Sequence, residues 1–235
     1  VKIVDALLES VSDADAIIGD LLIGLHWISV TSRQTGVAHV FRGDPSFELR
    51  DAGRLLGKHV LEVAALLRSW QPLEAGLGLA AFNSLMEPRG ENVNVYDYLL
   101  DIAPGKTVTC VGRFPFYPEI AKTAARAYLL EMEPREGELP SPACEQVVPE
   151  SDLVILTGTS LINKTMQRLL ELSRNGIAVV LGPSTPMSEV LFDFGASVIA
   201  GIRVADREKL HASLSQGVKF YKKIEGIEPV TMFRK

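Results

Sequence analysis

From Thr107 onward the chain repeats one pattern: a short, continuously apolar run, a turn, then a stretch with helical periodicity. Thr107–Gly112, Ala127–Met132, Leu153–Thr157, Ala178–Leu181 and Ser197–Val204 read as strands. Pro118–Ala125, Lys164–Arg174, Ser188–Phe194 and Asp206–Gln216 read as helices, the last with an aspartate at its N-cap. A strand that is apolar on successive residues has no face to give to water, so it must be covered on both sides. Helices alternating with such strands supply the covers. This half is therefore expected to form a Rossmann-like parallel sheet with helices on both faces.

The first part follows a different rhythm. Ile3, Val4, Leu7, Leu8 and Val11 recur at helical spacing, Ala16 to Ser32 is apolar and β-rich, and Val37 to Phe41 reads as a further strand. Arg33-Gln34-Thr35-Gly36 between them reads as a hairpin turn. Helices are expected over Asp51–Gly57, His59–Trp70 and Pro72–Met86. The last begins on a proline, which suits a first helical turn, and carries Gly76, Gly78, Ala80 and Ala81, small enough for a close neighbour. Asn83 is the odd polar residue in this helix; its amide either holds another element or reaches a ligand. Glu87 to Gly105 is a polar connection with one helical turn at Tyr96–Leu100. The expected organisation is α/β: an α+β domain over 1–95, then a Rossmann-like domain over 96–235.

In an open parallel sheet, ligands bind beyond the carboxyl ends of the strands, where strand order reverses. That rule selects Gly112, Arg113 and Phe114 after the first strand. It selects Thr157, Gly158, Thr159 and Ser160, with Asn163 opening the next helix, after Leu153–Thr157. It selects Gly182, Pro183, Ser184 and Thr185 after Ala178–Leu181. Singly, such residues turn and cap. Three such turns on one edge, each with free N–H groups before a helix, suit an anionic ligand. The dinucleotide fingerprint G-x-G-x-x-G is absent, which disfavours a pyrophosphate bound in the nicotinamide-cofactor manner. Glu131 and Glu133 end the second strand, where an acid can contact a ribose or act as a base; solvated charges at a strand end are the competing reading.

Other classes recede. Asp and Glu outnumber Lys and Arg, 29 to 24, for a formal charge of −5, so no nucleic-acid partner is expected. No apolar run is long enough for a bilayer, and the opening Val1–Asp5 lacks a charged leader followed by an apolar segment, so neither a membrane nor a secretory route is expected. Two cysteines make no disulfide framework; a cytoplasmic location is the expectation. Cys110 reads as packing and Cys144 as an ordinary thiol near the surface. His26, His39, His59 and His211 have no ligand spacing and no C-x-x-C occurs, so no metal ligand set and no cofactor is readable. No G-x-S-x-G elbow occurs.

The stretches Gly78-Leu-Ala-Ala-Phe-Asn-Ser-Leu, Val111-Gly-Arg-Phe-Pro-Phe116, Thr157-Gly-Thr-Ser-Leu-Ile-Asn163 and Leu181-Gly-Pro-Ser-Thr-Pro186 together resemble a family described as "putative heavy-metal chelation". The resemblance spans nearly the whole chain. It implies an N-terminal part similar to the enolase N-terminal fold, a Rossmann-like part, and a cleft between them that takes a small molecule such as a metal chelate or a pterin-, flavin- or siderophore-like compound. Three functions follow as expectations. The first is an enzyme acting on a chelator-like anion, with Glu133 or Glu131 as base or ribose contact and Asn83 and Arg113 as polar contacts. The second is a non-catalytic carrier of a metal chelate, with Arg113 on ligand carboxylates. The third is a methyltransferase-like protein binding an adenosyl cofactor through Glu131 or Glu133. A homodimer is expected on general frequency.

Overall fold

The computed structural model describes residues 1–41 and 46–234. The first part opens with α1 (Lys2–Glu9), which buries Ile3, Val4, Leu7 and Leu8. An antiparallel meander follows: β1 (Asp20–Ile23), β2 (Trp27–Thr31) and β3 (Thr35–His39). Then come α2 (Val60–Ala64), a 3₁₀ turn (Ala65–Arg68) and α3 (Pro72–Leu85). α3 is buried on nearly every side, as expected of a helix that is apolar all round. It packs on β2 and β3 along one side and on α2 and its 3₁₀ turn along another. Gly36 and Gly78 permit this. A Cβ on Gly36 would run into the α3 backbone at Ala80 and Ser84, and one on Gly78 into the backbone of Leu67.

That contact corrects the expected hairpin. The turn is Ser32–Gln34, with Thr31 paired to Thr35, and Gly36 lies inside β3. Its glycine serves the approach of a helix, not a bend. The helix expected at Asp51–Gly57 does not form. Asp51, Gly53 and Gly57 have φ of 58°, 76° and 79°, incompatible with a right-handed helix. The helix expected at Lys164–Arg174 starts late, at Met166, because Lys164 has φ 67°.

The second part begins with α4 (Val95–Ile102), capped by Asn94, and continues through β4 (Thr107–Val111), α5 (Tyr117–Thr123), β5 (Arg126–Glu131), β6 (Leu139–Pro140) and α6 (Cys144–Val147). It is completed by β7 (Leu153–Thr157), α7 (Met166–Leu172), β8 (Ile177–Leu181), α8 (Val190–Asp193), β9 (Val198–Val204), α9 (Arg207–Ser215) and β10 (Ile227–Phe233). The seven strands lie in the order β10-β9-β8-β7-β4-β5-β6, all parallel except β10, which pairs antiparallel with β9. Asp206 caps α9 by accepting from Lys209 N–H at 3.0 Å. β10 carries Pro229, a residue that a sheet tolerates only at an edge; that proline hides the strand in the sequence.

Alternate residues of each central strand face opposite layers. Val154, Leu156, Ala178, Val180 and Ile199 join one core with Ile3, Leu7, Phe82, Met166 and Leu191. Leu153, Ile155, Val179, Val198 and Ala200 join another with Leu99, Ala103 and Ile120. The first core is continuous through both parts of the chain. A third cluster sets Trp27 and Val37 of the small sheet against Ile202, Leu210 and Leu214. No helix among the described residues is long and apolar enough to cross a membrane.

Candidate ligand site at the carboxyl edge of the sheet

Strand order reverses between β4 and β7: successive strands run outward from β4 to β5 and β6 on one side, and from β7 to β8 and β9 on the other. The turns that leave these two strands flank that point. Gly112, with φ 104°, lies against Thr157; a Cβ there would stand 3.0 Å from Thr157 Cγ2. Thr157 caps the 3₁₀ turn Gly158–Leu161, and its hydroxyl lies 2.9 Å from that of Thr159. Gly158 packs directly against the next turn. A Cβ there would fall 2.5 Å from Thr185 Oγ1 and 2.7 Å from Thr185 N. The turn after β8 is closed by Thr185 N–H donating to the carbonyl of Gly182 at 2.9 Å. Gly182 itself has φ 119° with open space where a Cβ would go, so its glycine answers to backbone angle alone.

The three turns therefore touch in sequence along the edge, and the last one meets the small sheet. Asn83 Nδ2 donates to the carbonyls of Val37 at 3.0 Å and Ser184 at 3.3 Å, and His39 N–H donates to Ser184 Oγ at 2.9 Å. The amide of Asn83 thus ties α3, β3 and the β8 turn together. Between Asn83, Gly36 and Thr185 the space is about 20 Å³, room for about one water and none for an organic ligand. Ser160 Oγ, Thr185 Oγ1 and Asn83 Oδ1 are buried without a hydrogen-bond partner among the described residues. Pro183 lines the same small space. Asn163 lies before α7, not in it. Its Oδ1 accepts from Thr165 N–H and Oγ–H, and its amide reaches Met132 Sδ at 3.4 Å across the end of β5.

On the β4–β5 side the charged residues engage one another. Arg113 grips Glu138 with a two-pronged fork, Nε to Oε1 at 2.7 Å and Nη2 to Oε2 at 2.5 Å. Its Nη2 also donates to the Glu133 carbonyl at 2.7 Å, and Glu131 stands 3.8 Å away. The Glu133 side chain is exposed. Glu138 is the partner that the sequence hides, because it lies 25 residues downstream in a polar stretch with no local pattern. The guanidinium fork holds the Glu138 carboxyl down to about 2. A lowered acid contributes stability above its ordinary value of 4.5, and that contribution fades as pH falls from 4.5 toward 2. Carboxyl-carbon NMR should show the Glu138 midpoint near that low value, and Arg113→Ala should return it toward the ordinary one; a normal midpoint in the unaltered protein would refute the fork.

Phe114 stacks on Phe116, centroids 5.1 Å apart and planes within 11°, beside Gly112. His39 packs edge-on to Trp27 and Phe41. Burial, then the nearby His26 and Lys219, lower its pKa, so the ring is neutral at pH 7. Burial pushes both thiols up: Cys110 lies inside β4 and Cys144 is half-buried. Among the described residues no three His, Cys, Asp or Glu side chains gather into a metal-binding group.

Residues 94–232, more than half of the chain, match the model of the family described as "putative heavy-metal chelation". The chain belongs to that family. Residues 4–86 match a second model of the same description. Family membership accords with the stretches around Gly112, Thr157 and Gly182, all inside the first match. A crystal structure from Desulfitobacterium hafniense, of a protein with unknown function, is 28% identical with a TM-score of 0.87, covering 99% of this chain and 98% of its own. Another of unknown function, from Pyrococcus horikoshii, is 20% identical with a TM-score of 0.77 over 99% and 98%, and shows the shared fold. An uncharacterized protein of Methanocaldococcus jannaschii is 25% identical over 167 residues, 66% of this chain. The chain spans 64% of the length of that relative.

Proposed function

We propose that this family member binds a small anionic organic ligand, of the chelator or metal-chelate kind, at the crevice between the ends of β4 and β7. One observation carries the reading: the strand-order reversal falls between two turns that touch through Gly112 and Thr157, with the Thr157 hydroxyl paired to that of Thr159. Backbone N–H groups and hydroxyls there suit carboxylate, phenolate or phosphate oxygens. The stacked Phe114 and Phe116 put an aromatic surface beside them for a flat ring. An organic chelator would supply the metal's ligands, in keeping with a protein whose own side chains make no such group among the described residues. Arg113 is engaged by Glu138, so it shapes the rim and is less available to grip a ligand. Asn83 holds the β8 turn in place.

Action on that ligand by condensation or hydrolysis is the second reading, favoured by the exposed Glu133 carboxylate at the end of β5. Glu131 beside it would serve a ribose if the ligand were an adenosyl cofactor. Titration calorimetry with pterin-6-carboxylate and with ferric 2,3-dihydroxybenzoate is the test. Binding of either should weaken about tenfold in Thr159→Val, the loss of about one hydrogen bond to a charged group, while the melting temperature falls by only about 3 °C for the lost bond to Thr157. No heat from either probe, or equal affinity in the variant, would remove this site. Product formation that ceases in Glu133→Ala would select the enzymatic reading, and adenosyl-cofactor binding lost in Glu131→Ala would select a methyltransferase-like one.

A further inference from the structure

Away from the carboxyl-edge site, α1 and α7 enclose an open concavity of about 380 Å³ lined by Val1, Lys2, Lys164, Gln167, Arg168 and Glu171. Lys164 is unlike the other charged residues around it. Its backbone has φ 67°, one of two non-glycine residues in the left-handed region among those described. Its side chain is half-buried, and its amine meets no carboxylate among the described residues. Among the described residues Nζ donates to main-chain carbonyls alone, Ile162 at 2.9 Å and Leu161 at 3.5 Å. The one acid in the concavity, Glu171, is taken by Arg168 at 3.4 Å and Gln167 at 3.1 Å. Arg168 is further held by Glu145 at 2.6 Å. An ordinary surface lysine has water or a counter-ion around its charge. This one has two neutral carbonyls, and Lys2 and Arg168 line the same concavity. Strained backbone at a concave surface is a recurrent mark of a working residue.

We infer that Lys164 is a nucleophilic amine that condenses with a small aldehyde or α-keto acid entering the α1–α7 concavity. In the step, the free amine adds to the carbonyl carbon, the carbonyl oxygen leaves as water, and a C=N bond remains. Lys2 at the rim supplies positive charge for the acid group, while Arg168 is committed to Glu145 and Glu171. Burial without a counter-ion pushes the amine down to about 8. At pH 7 such an amine holds about 300-fold more free base than one at 10.5. Desolvated lysines gain nucleophilicity in this way.

The test uses the full chain with glyoxylate and sodium cyanoborohydride, which reduces the imine to a stable carboxymethyl-amine mapped by mass spectrometry. Lys58, whose pKa Asp51 raises through a 2.8 Å contact, is the internal control. Lys164 should be modified at least about tenfold faster than Lys58 at pH 7, with a rate midpoint near 8. Lys164→Arg should abolish that label and leave the others unchanged. Modification no faster than Lys58, or a midpoint as high as that of a free lysine, would overturn the inference. An amine that only caps the Ile162 carbonyl would give that result.

Discussion

Gly36→Ala should lower stability by about 3 kcal/mol and the melting temperature by about 10 °C, the range for a core overpacked against backbone. The reason is geometric. The new methyl would land on the α3 main chain at Ala80 and Ser84, and a helix backbone cannot swing aside as a side chain can. β3 would have to lift from α3, taking with it the Val37 carbonyl that Asn83 grips. Gly19→Ala is the control. It lies in the same part of the chain and its nearest obstacle is 3.9 Å away, so it should change stability by less than about 0.5 kcal/mol. Thermal and urea unfolding of both variants decide the matter; similar curves would mean that the β3–α3 contact yields easily.

Gly158→Ala should cost about 2 kcal/mol and also loosen the carboxyl edge. Here the methyl would meet Thr185 Oγ1 and N, both in a turn that is otherwise shut by the bond from Thr185 N–H to Gly182. Separating the β7 and β8 turns should speed hydrogen exchange at Thr185 and Ser184 and weaken any ligand held at the edge by about tenfold or more. Unchanged exchange at those amides, despite the substitution, would show that the two turns do not support each other.

The second part of the fold was easy to read because its information is local. Leu153–Thr157 is a buried parallel strand, and such a strand is apolar at every position, so neighbours in sequence suffice to identify it. The same locality gave the cap at Asp206 and placed the three turns on one edge. Failures occurred where a residue answers to something distant. Gly36 resembles a turn glycine until α3 is seen beside it. Asp51, Gly53 and Gly57 look helical by composition, yet their backbone angles are left-handed. Pro229 conceals an edge strand. At the site, the residue types were legible and their commitments were not. Arg113 reads as a ligand contact, whereas Glu138, 25 residues away, occupies its fork. Asn83 reads equally as a structural or a ligand residue, and its amide joins three segments across 46 and 101 residues. Lys164 carried no sequence signal, because neither its φ nor the lack of a nearby carboxylate is written in its neighbours.

The helix Lys2–Glu9 couples the folding of the two parts of the chain. Ile3 and its companions complete the core with α7 and α8, and the N–H of Ile3 donates to Gln167, 164 positions later. Within the first part of the chain that greasy stripe lies against the 3₁₀ turn Ala65–Arg68, and α7 and α8 supply the rest of its cover. Until those two helices are in place it is an exposed adhesive surface, so a folding intermediate in which only the first part is ordered is prone to self-association.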